Sequence, residues 1–281
     1  MGMTVLSPSH TTSNTSDGTR PETHRVGVVS FLNTLPLIAG LEGLDGWHMQ
    51  SAAPSALVGL LADDTVDVAL CSSIDLLRAP FEPAWIASTP LASDGATHTV
   101  RLFSRVPIER ITRVAGDCDS HTSVALLKVL LARLWDSDAE VVDDSQECDA
   151  ILRIGDKVVD PNLSSDQWPV QIDLGAAWRE LTGLPFVFAV WMGRSSNVDR
   201  IVRVGRVIDR QYRLNRMRLE DIVSRYGDDH GWTSVEAIDY LRDRIRYEFS
   251  PAMHAGLERF ASECRALHLV SDRPIPPPVE F

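Results

Sequence analysis

The most constraining feature of this chain is a series of short, almost wholly apolar runs, each stopped by turn residues and separated by amphipathic stretches. VGVVSF from Val26, VDVALCS from Val66, ILRIG from Ile151 and FVFAVWM from Phe186 lack the alternation of a strand with one wet face. Strands of that kind are buried on both sides, which requires helices above and below a parallel or mixed sheet. Suitable helices lie between them. Pro54 opens PSALVGLLADD, with Leu57, Leu60 and Leu61 on one face, and Ser120 can cap TSVALLKVLLARLW, whose stripe includes Val124, Leu127, Leu130, Leu131 and Leu134. The pattern is that of an α/β protein.

Two such units can be drawn, one before about Val106 and one from about Ile111 to Leu184. Strand-like segments at Val100–Ser104 and Phe186–Trp191 flank the joints, so the chain is expected to cross between units twice. The expected division is a tail over 1–24, a discontinuous first domain over 25–106 and 192–269, an inserted domain over 107–191, and an extended tail over 270–281. Three Arg-rich amphipathic segments after Val198 would pack back on the first unit. A ligand would sit between the units, where strand ends and helix starts converge.

Composition narrows the function. Against 39 Asp and Glu there are 27 Lys and Arg, a net charge of −12, which disfavours nucleic acid and anionic membranes as partners. No segment has the apolar length of a membrane helix, and the Ser/Thr-rich start has no apolar core of a signal peptide, so a cytoplasmic protein without stable membrane association is expected. Cys71, Cys118, Cys148 and Cys264 make no CxxC pair. With no GxGxxG, P-loop, HExxH or calcium-loop pattern either, no metal or other cofactor is expected.

Five segments could carry chemistry. Asn33, in SFLNTLPL, follows a buried strand, where its amide can donate to a carboxylate or accept from a hydroxyl; alternatively it only forms a turn. Ser72 and Ser73, in CSSID, suit an anionic oxygen or a helix cap, and neighbouring Cys71 reads as a buried thiol. In ASDGATHT, Thr99 could donate to a carboxylate, while His98 lacks an orienting carboxylate in sequence. Ser120, Thr122 and Ser123 lead into a long helix whose first N–H groups suit a carboxylate or phosphate. In ILRIGD, Gly155 permits an awkward turn, and Asp156 could receive a hydroxyl or stabilise that turn.

Together with DLGAAWRELTGLPFVFAVW and the ending YLRDRIRYEFSPAMHAGLERFASECRAL, these segments resemble the MqnA/MqnD family of menaquinone biosynthesis from about Arg25 to Leu269. LNTLPL is similar to the MqnA branch, the chorismate dehydratases, rather than to the branch with an SPCPND-like segment. The resemblance implies a two-lobed type II periplasmic-binding-protein-like fold with a central ligand cleft. It also implies dehydration of chorismate to 3-[(1-carboxyvinyl)oxy]benzoate, the entry step of the futalosine route. In it, Asn33 and Thr99 are the catalytic residues and Ser120, Thr122, Ser123, Gly155 and Asp156 bind substrate, to which the junction chemistry of CSSID adds Ser72 and Ser73 as expected substrate-binding residues. The chain departs from the family pattern in lacking the Pro common in the CSSID loop, in His121 beside Ser120, in ATHT where PVRS-like forms are common, and in KVV after IGD. A carboxylate of the substrate's enolpyruvyl group is the implied proton acceptor. The competing reading is a non-catalytic small-carboxylate binding or sensor protein, because the same cleft would serve it.

Overall fold

The computed structural model describes residues 23–143 and 146–280. The expected N-terminal tail falls outside the described residues apart from Thr23 and His24, and His24 already opens the first strand. The chain begins with β1 (His24–Val28), α1 (Leu35–Ile38), β2 (Trp47–Ser51), α2 (Pro54–Ala62), β3 (Val68–Ser72), α3 (Asp75–Arg78) and β4 (Pro83–Ser93). It then builds a second sheet from β5 (Val100–Ser104), β6 (Arg113–Ala115), β7 (Glu140–Val142), β8 (Ala150–Ile154) and β9 (Val170–Asp173). Helix α4 (His121–Arg133) follows β6, and α5 (Leu174–Thr182) follows β9. Strand β10 (Phe186–Arg194) returns to the first sheet. After it come α6 (Val198–Arg216), α7 (Leu219–Tyr226), α8 (Ser234–Asp239), β11 (Ile245–Arg246) and α9 (Pro251–Ala266).

The first sheet runs β11-β4-β10-β3-β1-β2 and the second β7-β6-β8-β5-β9. In each, a parallel set (β2, β1 and β3; β7, β6 and β8) is extended by antiparallel strands. Strand β5 pairs with β8 and β9, and β10 with β3 and β4. The boundaries at 106/107 and 191/192 drawn from the sequence put both strands in the opposite unit. Their physical error was to place the joints after the strands. The chain crosses before them, over residues 94–99 and 183–185, and an apolar strand carries no mark of which distant edge will hydrogen-bond it.

Burial explains the uniformly apolar runs. Every residue of β3 is buried, and β10 carries the fully buried Val190, Trp191 and Met192. Ile201, Val204 and Ile208 of α6 join Trp191 in one core, whereas Leu57 and Leu61 of α2 join Val190 and Met192 in another. Leu126 and Leu130 of α4, Leu152 of β8 and Trp178 of α5 form the core of the second sheet. Helix α9 belongs to both sheets: Met253 and Leu257 pack on the first, while Phe260 meets Trp178 and Phe186 edge-to-face in the second core. This close passage needs Gly256, since a Cβ there would stand 2.1 Å from the Pro185 carbonyl oxygen. The final segment is non-helical as expected, but it is bound to β4: Trp85 Nε1 donates to the Pro276 carbonyl at 2.8 Å and Val279 N to the Trp85 carbonyl at 2.7 Å.

Candidate active site

Asn33 sits in a short 3₁₀ turn, Leu32–Thr34, just beyond β1. The turn is held on three sides. Thr34 Oγ1 donates within the loop to the Val29 and Phe31 carbonyls, Tyr247 Oη donates to the Asn33 carbonyl at 2.9 Å, and Leu32 N donates to the Asp156 carboxylate at 3.0 Å. Facing it, the segment before β5 is clamped by Asp173, which accepts from Thr97 N and His98 N. Thr99 emerges from that clamp, and its carbonyl accepts from Gly155 N at 2.8 Å. Gly155 has φ +57°, and a Cβ on it would lie 2.6 Å from the Phe31 ring, so both conformation and space select glycine.

Between Asn33 and Thr99 stands Tyr240, at the start of a π-helical turn. Asn33 Nδ2 donates to Tyr240 Oη at 3.0 Å, and Thr99 Oγ1 lies 2.7 Å from the same oxygen. The ring stacks on Trp232, 5.1 Å between centroids with planes 7° apart, and Trp232 Nε1 donates to Asp156 at 2.9 Å. Asp156 also receives His230 Nδ1 at 2.7 Å. Burial raises the Tyr240 phenol well above its ordinary pKa, and the hydrogen bonds to Thr99 and Asn33 oppose that shift only in part, so it stays protonated.

The other wall is the start of α4. Ser120 has extended backbone geometry and accepts from Ser123 N at 3.0 Å, while its hydroxyl lies 2.9 Å from Ser123 Oγ. The first turn of a helix presents N–H groups without intrahelical partners and the positive end of its dipole. A cavity of about 60 Å³ lies between the walls, lined among others by Asn33, Ser72, Thr99, Ser120, Ser123 and Gly155. Its described lining contains no Asp, Glu, His, Lys, Arg or Cys.

The structure therefore brings six of the nine sequence-selected residues to one cavity. The other three have protein partners. Ser73 donates to the Val187 carbonyl at 2.7 Å, Thr122 Oγ1 accepts from Ile74 N at 3.2 Å, and Asp156 holds the loops behind Asn33. Two of them, Ser73 and Thr122, lie 3.4 Å apart and join the elements of the two sheets. His121 does the same, with Nδ1 2.8 Å from the buried Asp75 carboxylate. His98 is exposed with φ +65°, and Cys71 is fully buried, its thiol pushed well up by burial and by Asp75. Among the described residues, one cluster has metal-ligand spacing, Asp117–Cys118–Asp119, and the Lys157 ammonium lies 2.6 Å from both of its carboxylates. Sequence reasoning missed Tyr240, Thr97, Trp232 and His230. Tyr240 lies 141 and 207 residues from its two partners, and no local pattern announces such a contact.

The model of a family described as menaquinone biosynthesis matches residues 24–266. The chain belongs to the menaquinone-biosynthesis family. Within this family it is similar to the chorismate dehydratase of Campylobacter jejuni, 28% identical over 251 residues that cover 86% of this chain and 98% of the relative. The chorismate dehydratase of Thermus thermophilus is 29% identical over 191 residues, covering 61% and 70%. Among solved structures, the periplasmic aliphatic sulphonate binding protein SsuA of Escherichia coli superposes with a TM-score of 0.60 at 14% identity, covering 90% of this chain and 94% of that one. The family member described here thus has the two-lobed periplasmic-binding-protein fold expected from its sequence. Among its described residues no helix is long and apolar enough to cross a membrane.

Proposed function

We propose that the chain is a chorismate dehydratase, a hydro-lyase that converts chorismate to 3-[(1-carboxyvinyl)oxy]benzoate and water in the futalosine route to menaquinone. The observation that carries this reading is the cavity lining: an amide, hydroxyls and a helix start, without one ionisable side chain, in a chain of this family. Chorismate carries two carboxylates, an enolpyruvyl ether at C3 and a hydroxyl at C4. Loss of the C3 proton is assisted by conjugation with the ring carboxylate, and departure of the C4 hydroxyl makes the ring aromatic. A lining without His, Lys or carboxylate offers no conventional base. The substrate's enolpyruvyl carboxylate takes the C3 proton in this reading, and the protein supplies orientation and donors for developing charge.

Asn33 and Thr99 are assigned to the reacting end. Ser72, Ser120, Ser123 and the α4 start are assigned to a carboxylate, with Gly155 closing the wall by its backbone. Neutral dipoles can hold that anion despite the chain's net charge of −12, because oriented N–H groups act at contact distance. A cavity of about 60 Å³ is smaller than this ligand, so the lobes part to admit it. The reaction is assigned to the cytoplasm and needs no added cofactor.

The test is incubation of metal-stripped protein with chorismate, followed by mass-resolved chromatography. The expected product has lost one water at a rate far above the protein-free control. Binding without turnover would favour a small-carboxylate binding protein, and 4-hydroxybenzoate with pyruvate would replace dehydration by a different lyase reaction.

A further inference from the structure

We propose that Tyr240 is a positioning residue that sets the polarity of the reacting end, making Asn33 a hydrogen-bond acceptor and Thr99 a donor toward the ring hydroxyl of the substrate. The inference rests on the dehydratase reading for the identity of that hydroxyl, but the wiring itself is a property of the protein. Tyr240 lies behind Asn33 and Thr99 and is not part of the cavity lining, so it acts through them.

The number of protons at this junction decides the polarity. Tyr240 Oη is buried, carries one proton and has two hydrogen-bond neighbours, Asn33 Nδ2 and Thr99 Oγ1. Asn33 Nδ2 is a donor and cannot receive that proton. The proton therefore goes to Thr99 Oγ1; were Thr99 to donate instead, the phenol O–H would have no acceptor inside the core, which buried groups avoid. Thr99 is then left with its own proton to give. Its remaining neighbour, Thr97 Oγ1, is 3.3 Å away, a long bond that a ligand oxygen can displace. Asn33, with Nδ2 committed to Tyr240, keeps Oδ1, which is buried without a partner.

One acceptor beside one donor matches a hydroxyl, which both gives and receives. It does not match a carboxylate, which Oδ1 would repel. This places the departing C4 hydroxyl at Asn33 and Thr99, with the Thr99 O–H donating a hydrogen bond to the leaving oxygen. It leaves the carboxylate that is not the base to the α4 wall, so Thr99 serves the hydroxyl and not, as expected from the sequence, a carboxylate. The enolpyruvyl carboxylate takes the C3 proton as the C3–H electron pair forms the new ring double bond, and the C4–O bond breaks. That same proton passes to the departing hydroxide to give water, while Thr99 keeps its own proton and only hydrogen-bonds to the leaving oxygen. The supporting parts fit a positioning role. Asp156 fixes Trp232, Trp232 fixes the ring plane of Tyr240, and a π-helical turn, a distortion frequent at functional sites, carries the residue.

The test has two arms. In ligand-free wild type, NMR should show the Asn33 carboxamide protons protected from exchange and close to the Tyr240 ring. Rapid exchange, or an amide turned away from the ring, overturns the wiring whatever the substrate proves to be. In kinetics with chorismate, Tyr240→Phe keeps the stacked ring and removes only the hydroxyl. It should lower kcat by about tenfold to 100-fold with KM changed less than about threefold, as for loss of support to a transition-state donor. In a Thr99→Val background the same change should cost less than about threefold, because both substitutions break one unit. A folded Tyr240→Phe within twofold of wild type, or fully multiplicative losses in the double variant, overturns the proposal. Absence of turnover by wild type itself would instead defeat the dehydratase reading, and leaves the NMR arm decisive for Tyr240.

Discussion

At one wall of the cavity, Asn33, Thr99 and Tyr240 bond one another across 141 and 207 residues of chain; at the other, Ser120 and Ser123 bond across three. Both walls consist of neutral hydrogen-bonding groups, but the first exists only when both sheets and the C-terminal helices are assembled. The second forms wherever α4 starts. The difference teaches that perturbations far from the cavity should reach the Tyr240 wall selectively, through Asp156, Trp232 and the turn around Gly155.

Gly155→Ala should break the comparison most severely. The added Cβ would stand 2.6 Å from the Phe31 ring in a region of backbone space that alanine resists. Phe31 adjoins the Asn33 turn, and a shift of about 1 Å there should lower kcat/KM about 100-fold. Kinetics paired with thermal melting check this: wild-type turnover with normal melting would show that the turn tolerates the clash. Next is Thr99→Val, which preserves shape while deleting the hydroxyl. It should reduce kcat about 100-fold with little change in KM, as loss of a transition-state donor does. An increase in KM alone would move Thr99 to the anchoring wall.

With no ionisable group in the described lining, acid sensitivity of stability should arise outside the cavity. Asp67 is one source. Burial alone would raise its pKa, but hydrogen bonds from Arg25 and Arg200 outweigh that and hold it below the usual carboxyl value. Its stabilisation is therefore complete above the unfolded pKa and lost as pH falls through the lowered folded one. Asp67→Asn should cost about 2 kcal/mol at neutral pH and flatten the acid side of a stability curve, read by denaturant unfolding. An unchanged acid slope would remove Asp67 from that role. The smallest effect is expected for Ser120→Ala, which loses the α4 cap at about 1 kcal/mol and raises KM about fivefold with kcat retained. A fall in kcat as large as that of Thr99→Val would erase the distinction between the walls.

The α4 wall was legible because its information is local: Ser120 precedes a helical apolar stripe, and three residues suffice for the cap. Asn33 and Thr99 stood out as candidates beside predicted strands, but their catalytic roles came from family resemblance, since each alone reads as a turn or strand-edge residue. Asp156 illustrates the limit. Its place after β8 was visible, yet its partners at Leu32, His230 and Trp232 come from three other parts of the chain.

By itself, then, the sequence determined the α/β class, most of the strands and main helices, and the helix start that faces the cavity, because apolar periodicity and capping act over a few residues. Tertiary structure decided the rest. It assigned β5 and β10 to their sheets, laid α9 across both cores, and turned Ser73 and Thr122 to contacts between the sheets' elements. It also delivered Tyr240 to Asn33 and Thr99. The physical reason is common to all four. Backbone ladders, packed faces and buried hydroxyls are satisfied by whichever distant group the folded chain brings within about 3 Å, and that choice is made by the whole fold.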